Sequence, residues 1–466
     1  MGGVSRFLAC VAMAACLMGA GATERAWQVA PETQLKKIAL VCTVYEPYSH
    51  ADVVATKFMA GFPTDDGMLP PKVRVASMYI DQGRPGDLGH RLAAHYGIPI
   101  YETITGALTL GGDTLAVDGV LVSGEHGDYP YNRLGLKMYP RLSMLEEIFR
   151  IFAASGRAVP VFNDKGLSYR WQDAFWIRDR VEELGVPFMA GSSIPLVWRD
   201  PQIELPVGAN VTEAVSLAYG EFQHYAIHGL EVLQSMMERR AGGETGVASV
   251  RFVQGPAFFE AARRGEFSMD LVKAACATVG VDMDAKGPIE KFEKDPLAIL
   301  IRYRDGTRGA VLMMDRYYGR NWLYAARVDG EIVATHFVYA QPPSRPTFSY
   351  LGLNIQEMFL TGRPQYPFER TLLTTCILEA AARSRLAGWQ PMETPSLDVS
   401  YSPGRHGVLG PDIQTPYLDV SYKPFDFEPI RPSGTEPTGA SLMDWPPQEL
   451  KALYEAAREP APQAAH

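Results

Sequence analysis

Lys37-Ile38-Ala39-Leu40-Val41-Cys42-Thr43-Val44 is a nearly unbroken apolar run that empties into a polar and aromatic loop, Tyr45-Glu46-Pro47-Tyr48-Ser49-His50. A run this long without polar alternation suits a strand buried on both faces, and such strands belong to parallel sheets. Ser49 is placed to cap a helix that continues through Asp52 to Met59. The pattern then repeats. A Pro/Gly/Asp-rich insertion at 63–71 precedes strands at 73–80, 98–101, 117–123, 158–162 and 186–190, with helices at 87–96, 142–154 and 171–184. Six strands separated by helices predict a Rossmann-like, doubly wound α/β sheet over residues 37–200.

After Trp198-Arg199-Asp200-Pro201 the rhythm changes. Residues 214–239 read as helix, and strands then follow at 247–253, 297–303, 309–314, 323–328 and 332–338 with little helix between. Asp305-Gly306 and Asp329-Gly330 are hairpin signals. Residues 205–390 are therefore expected to form an α+β domain, a mostly antiparallel open sheet with helices on one face, closing on a helix at 368–387. An uncovered sheet face often dimerises, so a homo-oligomer is expected.

The remainder, 391–466, is an extension with an internal duplication. Thr394-Pro395-Ser396-Leu397-Asp398-Val399-Ser400-Tyr401 returns as Thr415-Pro416-Tyr417-Leu418-Asp419-Val420-Ser421-Tyr422. Each copy alternates Leu/Val with Asp/Ser, and at least one is expected to pair with a sheet. Residues 447–458 can form a short amphipathic helix.

With 44 basic and 53 acidic residues, a net charge of −9 and no basic cluster, nucleic acid is excluded as a partner. Residues 1–22 read as a signal peptide: Arg6, an apolar stretch at 7–18 too short to span a bilayer, and the small-residue site Ala20-Gly21-Ala22. Cleavage near Ala22 implies a periplasmic or secreted protein with no membrane span. Cys10 and Cys16 leave with that segment. Cys42, Cys276 and Cys376 are odd in number and lie in apolar runs, so buried free thiols are expected rather than disulfides.

In open α/β sheets ligands bind beyond the carboxyl ends of the strands. The loop after the first strand, 43–50, has no glycine, which argues against an ordinary dinucleotide cradle. Asp81, after the second strand, is placed to hold a ribose diol. Gly124-Glu125-His126-Gly127-Asp128-Tyr129 brings acid, base and hydrogen-bonding groups to the sheet mouth, and Asn163-Asp164-Lys165-Gly166 does so one strand later. Glu221, His224, His228 and Glu231 are spaced by three and four, on one helix face. His50, Glu125, His126 and Asp128 form an alternative set, oxygen and nitrogen ligands for a divalent metal in a hydrolase or lyase.

Taken in order, these residues resemble the glucose–fructose oxidoreductase/inositol dehydrogenase/MocA family over about three quarters of the chain. His95-Tyr96-Gly97-Ile98-Pro99-Ile100-Tyr101 and the strand at 117–122 resemble that family's third and fourth strands. Asp164-Lys165-Gly166 stands where the family has Glu-Lys-Pro, and His224-Tyr225-Ala226-Ile227-His228-Gly229-Leu230-Glu231 aligns with its Asp-x-x-x-His-x-x-Asp helix. Thr361-Gly362-Arg363-Pro364 before the last helix also fits.

The resemblance implies an oxidoreductase that uses NAD or NADP on a hydroxyl of a sugar, sugar acid or cyclitol. His228 is then the proton acceptor assisted by Lys165, and His224 stands where an acid is usual. Asp81, Glu125, His126 and Asp164 would contact the cofactor, and Tyr129, Asn163 and Glu231 the substrate. A cofactor-free carbohydrate-binding protein on the same scaffold is the remaining alternative.

Overall fold

The computed structural model describes residues 34–64, 67–197, 199–201, 203–339, 347–403 and 446–458. The expected leader and the second copy of the duplicated segment lie outside them. The opening strand, β1 (Lys36–Cys42), divides its side chains between two cores. Ala39 and Val41 join one cluster, Ile38, Leu40 and Cys42 the other, so the unbroken apolar run is explained by helices on both sides.

From β1 the chain passes through a π-helical turn, Ala51–Ala55, and a short α1 (Lys57–Ala60). The Pro/Gly-rich insertion is a small hairpin, β2 (Phe62–Thr64) and β3 (Gly67–Leu69). Then follow β4 (Val73–Ile80), α2 (Leu88–Tyr96), α3 (Ile104–Thr109), β5 (Gly119–Ser123), α4 (Arg141–Ser155), β6 (Val161–Asp164), α5 (Trp171–Leu184) and β7 (Phe188–Gly191). These five strands are all parallel, in the order β4-β1-β5-β6-β7. The order reverses between β1 and β5, which makes that junction the switch point where a crevice opens. The expected strand at 98–101 is only a single bridge, Met78 to Ile100. Pro99 has no N–H to donate, so pairing cannot extend through it.

The second sheet has eight strands: β8 (Arg199–Asp200), β9 (Val211–Ala218), β10 (Val247–Gln254), β11 (Leu297–Tyr303), β12 (Arg308–Met313), β13 (Trp322–Val328), β14 (Glu331–Phe337) and β15 (Met392–Glu393). Their order is β15-β10-β11-β12-β9-β13-β14-β8, antiparallel except for β12 against β9. Between β9 and β10 runs α6 (Phe222–Met237), and between β10 and β11 run α7 (Pro256–Arg263), α8 (Met269–Ala277) and α9 (Met283–Lys286). A short α10 (Asp315–Tyr318) follows β12; α11 (Thr347–Thr361) and α12 (Glu369–Leu386) precede β15, and α13 (Lys451–Arg458) comes last.

Three expectations are corrected here. The expected helix at 214–239 begins with β9, the strand on which β12 and β13 both pair. Its Ala and Leu residues suit a helix as well as a buried strand, and only Gly220, at φ 84°, marks the break before α6. Helices cover both faces of this sheet, because Val215, Leu217, Ala298 and Leu312 pack with α7 and α8 while Ala214, Val250, Ile299 and Val311 pack with α6 and α12. The uncovered face behind the expected homo-oligomer is therefore absent among the described residues. Lastly, α11 sits inside the segment assigned to the second domain but packs in the core beneath β1 and β4.

Gly229 shows how closely α6 lies on the sheet: a Cβ there would come within 2.5 Å of Val311. Of the duplicated segment, the first copy lies along the β10 edge, with Thr394 N–H donating to Ala248, Val247 N–H to Leu397, and a bridge from Glu244 to Tyr401. Cys42, Cys276 and Cys376 are buried and unpaired to one another, as expected. No described helix is long and apolar enough to cross a membrane.

Candidate active site

The carboxyl ends of β5, β6 and β7 face the α6 side of the second sheet across a cavity of about 690 Å³. His50, His126, His224 and His228 line it, with Lys165, Lys137, Glu125, Ser192, Trp322 and Phe348 among the other walls. Three of its residues, Tyr48, His126 and Lys165, hold left-handed backbone conformations at φ 66°, 68° and 61°. Such geometry costs a non-glycine residue on the order of 1 kcal/mol or more and collects at functional sites. For Lys165 the cause is visible. Its N–H turns back to the Gly191 carbonyl at 2.9 Å, which swings the side chain from the end of β6 into the cavity.

Glu125, just past β5, is buried and takes Lys165 Nζ at 3.1 Å on one oxygen and Arg141 on the other. Burial alone would raise its pKa, but Lys165 and then Arg141 outweigh it and hold the carboxylate well below the usual range. Asp164, at the end of β6, is 1% exposed. His50 Nδ1 approaches its Oδ2 to 2.8 Å, yet the approach is poorly aligned and neither carboxyl oxygen accepts a hydrogen bond. Burial pushes this carboxyl up to about 7 against the opposing charge of Lys165, while burial and Lys165 together push His50 well below its ordinary value. Near neutrality the pair is thus a partly protonated carboxyl beside a neutral imidazole.

On the opposite wall, α6 delivers His228, buried apart from its cavity edge. Its Nδ1 lies 2.9 Å from Glu231 Oε2 and 3.0 Å from Ser192 Oγ. Ser192 in turn donates to Glu231 through its N–H at 2.7 Å and its hydroxyl at 2.5 Å. Gly191 permits this convergence, since a Cβ there would crowd Glu231 Oε1 at 3.0 Å. Glu231 is buried, which would raise its pKa, but the His228 and Ser192 bonds lower it overall. A carboxylate on Nδ1 fixes the tautomer that leaves Nε2 free as a base toward the cavity.

The structure therefore brings together Lys165, His228, His224, Glu125, His126 and His50, and sets Asp164 and Glu231 directly behind two of the histidines. Others fall elsewhere. Asn163 is fully buried and donates to the Gly166 carbonyl at 3.2 Å, so it shapes the Lys165 turn instead of meeting a substrate. Glu231 is likewise shielded behind His228. Tyr129 stands outside the cavity and donates to Asp81 Oδ2 at 2.6 Å, with Tyr79 on the other oxygen at 2.8 Å. Ser192 and Arg141 were not singled out in the sequence. A lone serine after a strand, or an arginine opening a helix, carries no local signal.

The place where a dinucleotide's pyrophosphate would lie does not fit one. Tyr48 N–H, the amide at the entry to the first helix, already donates to Asp52 Oδ2 at 2.7 Å. Asp52 is fully buried and also accepts from Thr56 Oγ1 at 2.9 Å and from the Tyr454 hydroxyl of α13. Tyr45, in the loop after β1, is buried against Gly89, with its hydroxyl 2.7 Å from Thr56 Oγ1. Arg458 lies over the Tyr48 ring at 5.1 Å, and the Gln82 side chain makes two bonds to the Asp128 backbone across the crevice. Asp81, expected to hold the ribose, is exposed and accepts from the two tyrosines.

The metal alternative is corrected too. Glu125 is taken by two cations, His50 faces Asp164, and Asp128 is exposed outside the cavity wall; among the described residues no three His, Cys, Asp or Glu side chains are grouped to hold a metal.

No protein-family model and no curated protein matches this chain. Among solved structures it is similar to GenD2 from gentamicin A biosynthesis in complex with NAD, at 15% identity over 78% of this chain and 98% of that one, TM-score 0.47. A putative myo-inositol dehydrogenase from Sinorhizobium meliloti 1021 matches at 15% identity over 77% and 99%, TM-score 0.46. Scyllo-inositol dehydrogenase from Lactobacillus casei, with bound NAD(H) and scyllo-inositol, matches at 12% identity over 77% and 99%, TM-score 0.47. Likeness at this level assigns no residue a role, and the site stands on its own geometry.

Proposed function

We propose that this chain is an enzyme acting on a sugar, sugar acid or cyclitol, with His228 as proton acceptor and Lys165 as the cation beside the reacting oxygen. The observation that carries this reading is the Ser192–Glu231–His228 arrangement, which points one basic nitrogen into a polar cavity of about 690 Å³. Lysines, histidines, tyrosines and a tryptophan around that space suit a ligand with many hydroxyls.

The oxidoreductase form of the reading, with NAD or NADP as oxidant, is what the sequence resemblance implies and what the similar dehydrogenases suggest. A second form keeps the substrate and dispenses with the dinucleotide; the internally bonded Asp52 favours it. Calorimetric titration of the full chain with NAD and NADP tests the choice. Saturable binding supports the oxidoreductase form, whereas binding of a cyclitol or sugar ketone without either dinucleotide supports the second. If no polyol, keto sugar or dinucleotide binds, both forms fall.

A further inference from the structure

The cavity holds two histidine–carboxyl pairs, and only one is needed to take a proton. Asp164 pairs in register with Gly191, the residue before Ser192, so the carboxyl behind His50 and the serine behind His228 hang from adjacent strand ends. Adjacent strands lie about 4.8 Å apart. The two imidazoles thus belong to neighbouring supports while approaching one space from different walls, His50 from the loop after β1 and His228 from α6. Lys165 comes from the residue between them in this row and also lines the space.

Their chemical states differ. His228 has a carboxylate on Nδ1 and a basic Nε2. His50 faces a carboxyl whose oxygens accept no hydrogen bond and which is nine-tenths or more buried. A buried, unpartnered carboxyl is costly to ionise and holds its proton, so this pair is the donor and His228 the acceptor. The charged and titratable groups facing the His50–Asp164 pair are Lys165, Glu125, Arg141, His126 and His228.

We propose that the cavity catalyses β-elimination from a keto sugar or cyclitol ketone, without a dinucleotide; this rests on the second form of the function proposed above. His228 Nε2 takes the proton from the carbon next to the ketone. The electron pair of that C–H bond moves toward the ketone oxygen as an enolate, and on its return the new carbon–carbon double bond forms while the bond from the next carbon to its oxygen substituent breaks. The departing oxygen takes a proton from His50 Nε2, His50 Nδ1 takes one from Asp164, and water or an alcohol leaves. Nothing is oxidised or reduced. Lys165 stabilises the negative charge that builds on the ketone oxygen as the C–H bond breaks. A ketone is preferred because its α-proton is far more acidic than that of a carboxylate and lies within reach of an imidazole aided by one cation at the oxygen. A separate dehydrogenase-class reaction must therefore supply the substrate by oxidising a ring hydroxyl.

The test incubates the full chain with an inosose and with a 3-keto-glucoside in deuterium oxide, with no nucleotide added, and follows α-deuteration and the conjugated double bond by NMR. Both signals are expected in the wild type. His228→Ala should lose both by about 10²-fold or more. Asp164→Asn and, separately, His50→Asn should slow double-bond formation at least tenfold while α-deuteration persists, a split that a merely structural role would not give. Deuteration without elimination in the wild type overturns the elimination and leaves the proton-acceptor role standing. Ketone binding with neither deuteration nor a double bond overturns the elimination and the role of His228 together, and absence of binding removes the carbohydrate reading as well. Equal slowing of both signals in Asp164→Asn and His50→Asn overturns the donor assignment.

Discussion

The carboxyl edge of the parallel sheet has two halves that the same fold treats in opposite ways. Over β4 and β1 the polar groups are spent on one another: Asp52 on Tyr48, Thr56 and Tyr454, Asp81 on Tyr79 and Tyr129, Gln82 on Asp128. Over β5, β6 and β7 they turn into the cavity: Lys165 and Arg141 hold Glu125, Ser192 and His228 hold Glu231, and His50 reaches in from the loop after β1 to a buried Asp164 that accepts no hydrogen bond, with left-handed backbone at Tyr48, His126 and Lys165. Groups bonded to one another away from the cavity stabilise and close; groups whose free edges face the cavity remain available for a ligand. The contrast locates function in the second half.

The largest effect that would sharpen this contrast is at His228. His228→Ala should lower turnover of the ketone substrate by about 10²–10⁴-fold, measured per folded molecule because the buried Glu231 also loses a partner. Equal activity in the variant breaks the assignment of the open half. Next comes the closed half, where removing an acceptor should cost stability instead of activity. Asp52→Ala strands three donors and is expected to destabilise by roughly 3 kcal/mol in denaturant unfolding. Loss of less than about 1 kcal/mol would mean that this half is not built as a closed network.

The parallel α/β sheet itself was legible in the residues. Unbroken apolar runs at 38–42 and 119–123 can only be buried on both faces, and β4, α5 and β11 fall where periodicity places them. What stayed hidden has a common cause. β9 is built from Ala, Val and Leu that fit either helix or strand, and its identity is decided by β12 and β13, far along the chain. The site was legible where chemistry is concentrated in one loop, as at Glu125-His126 and Asp164-Lys165. It was illegible where one partner comes from afar: Ser192 matters only because Glu231 and His228 fold onto it, and Asp81 accepts from Tyr129, which reaches it from another loop. The glycine-free loop after β1 agrees with the bond found there between Tyr48 and Asp52.

Asp164 gives a sign-sensitive test of similar size. Its folded pKa of about 7 lies above the unfolded value of 3.8, so the folded state binds the proton more tightly. Stability from this group is fully present below pH ~4 and is lost as pH rises through about 7. Asp164→Asn removes that loss. The variant should be more stable than wild type at pH 8, on the order of 2–4 kcal/mol, with the difference vanishing toward pH 4. A difference that grows on acidification contradicts the buried, proton-holding carboxyl. Smaller still, Tyr454→Phe removes one donor to Asp52 and should cost about 1 kcal/mol. An unchanged midpoint would show that α13 does not secure the closed half. We also propose export of the mature chain; N-terminal sequencing is expected to find Thr23 in the periplasmic or secreted fraction, and an intact Met1 in the cytoplasm would refute it.

The contrast between the halves is tested most directly by one calorimetric comparison on the full-length mature chain, titrated in turn with NAD, NADP and an inosose. Saturable heat is expected with the cyclitol ketone and none with either dinucleotide at millimolar concentration, because Tyr48 and Asp52 already satisfy each other where a pyrophosphate would lie. Saturable binding of NAD or NADP, with or without the ketone, would contradict this and return the cavity to the oxidoreductase form.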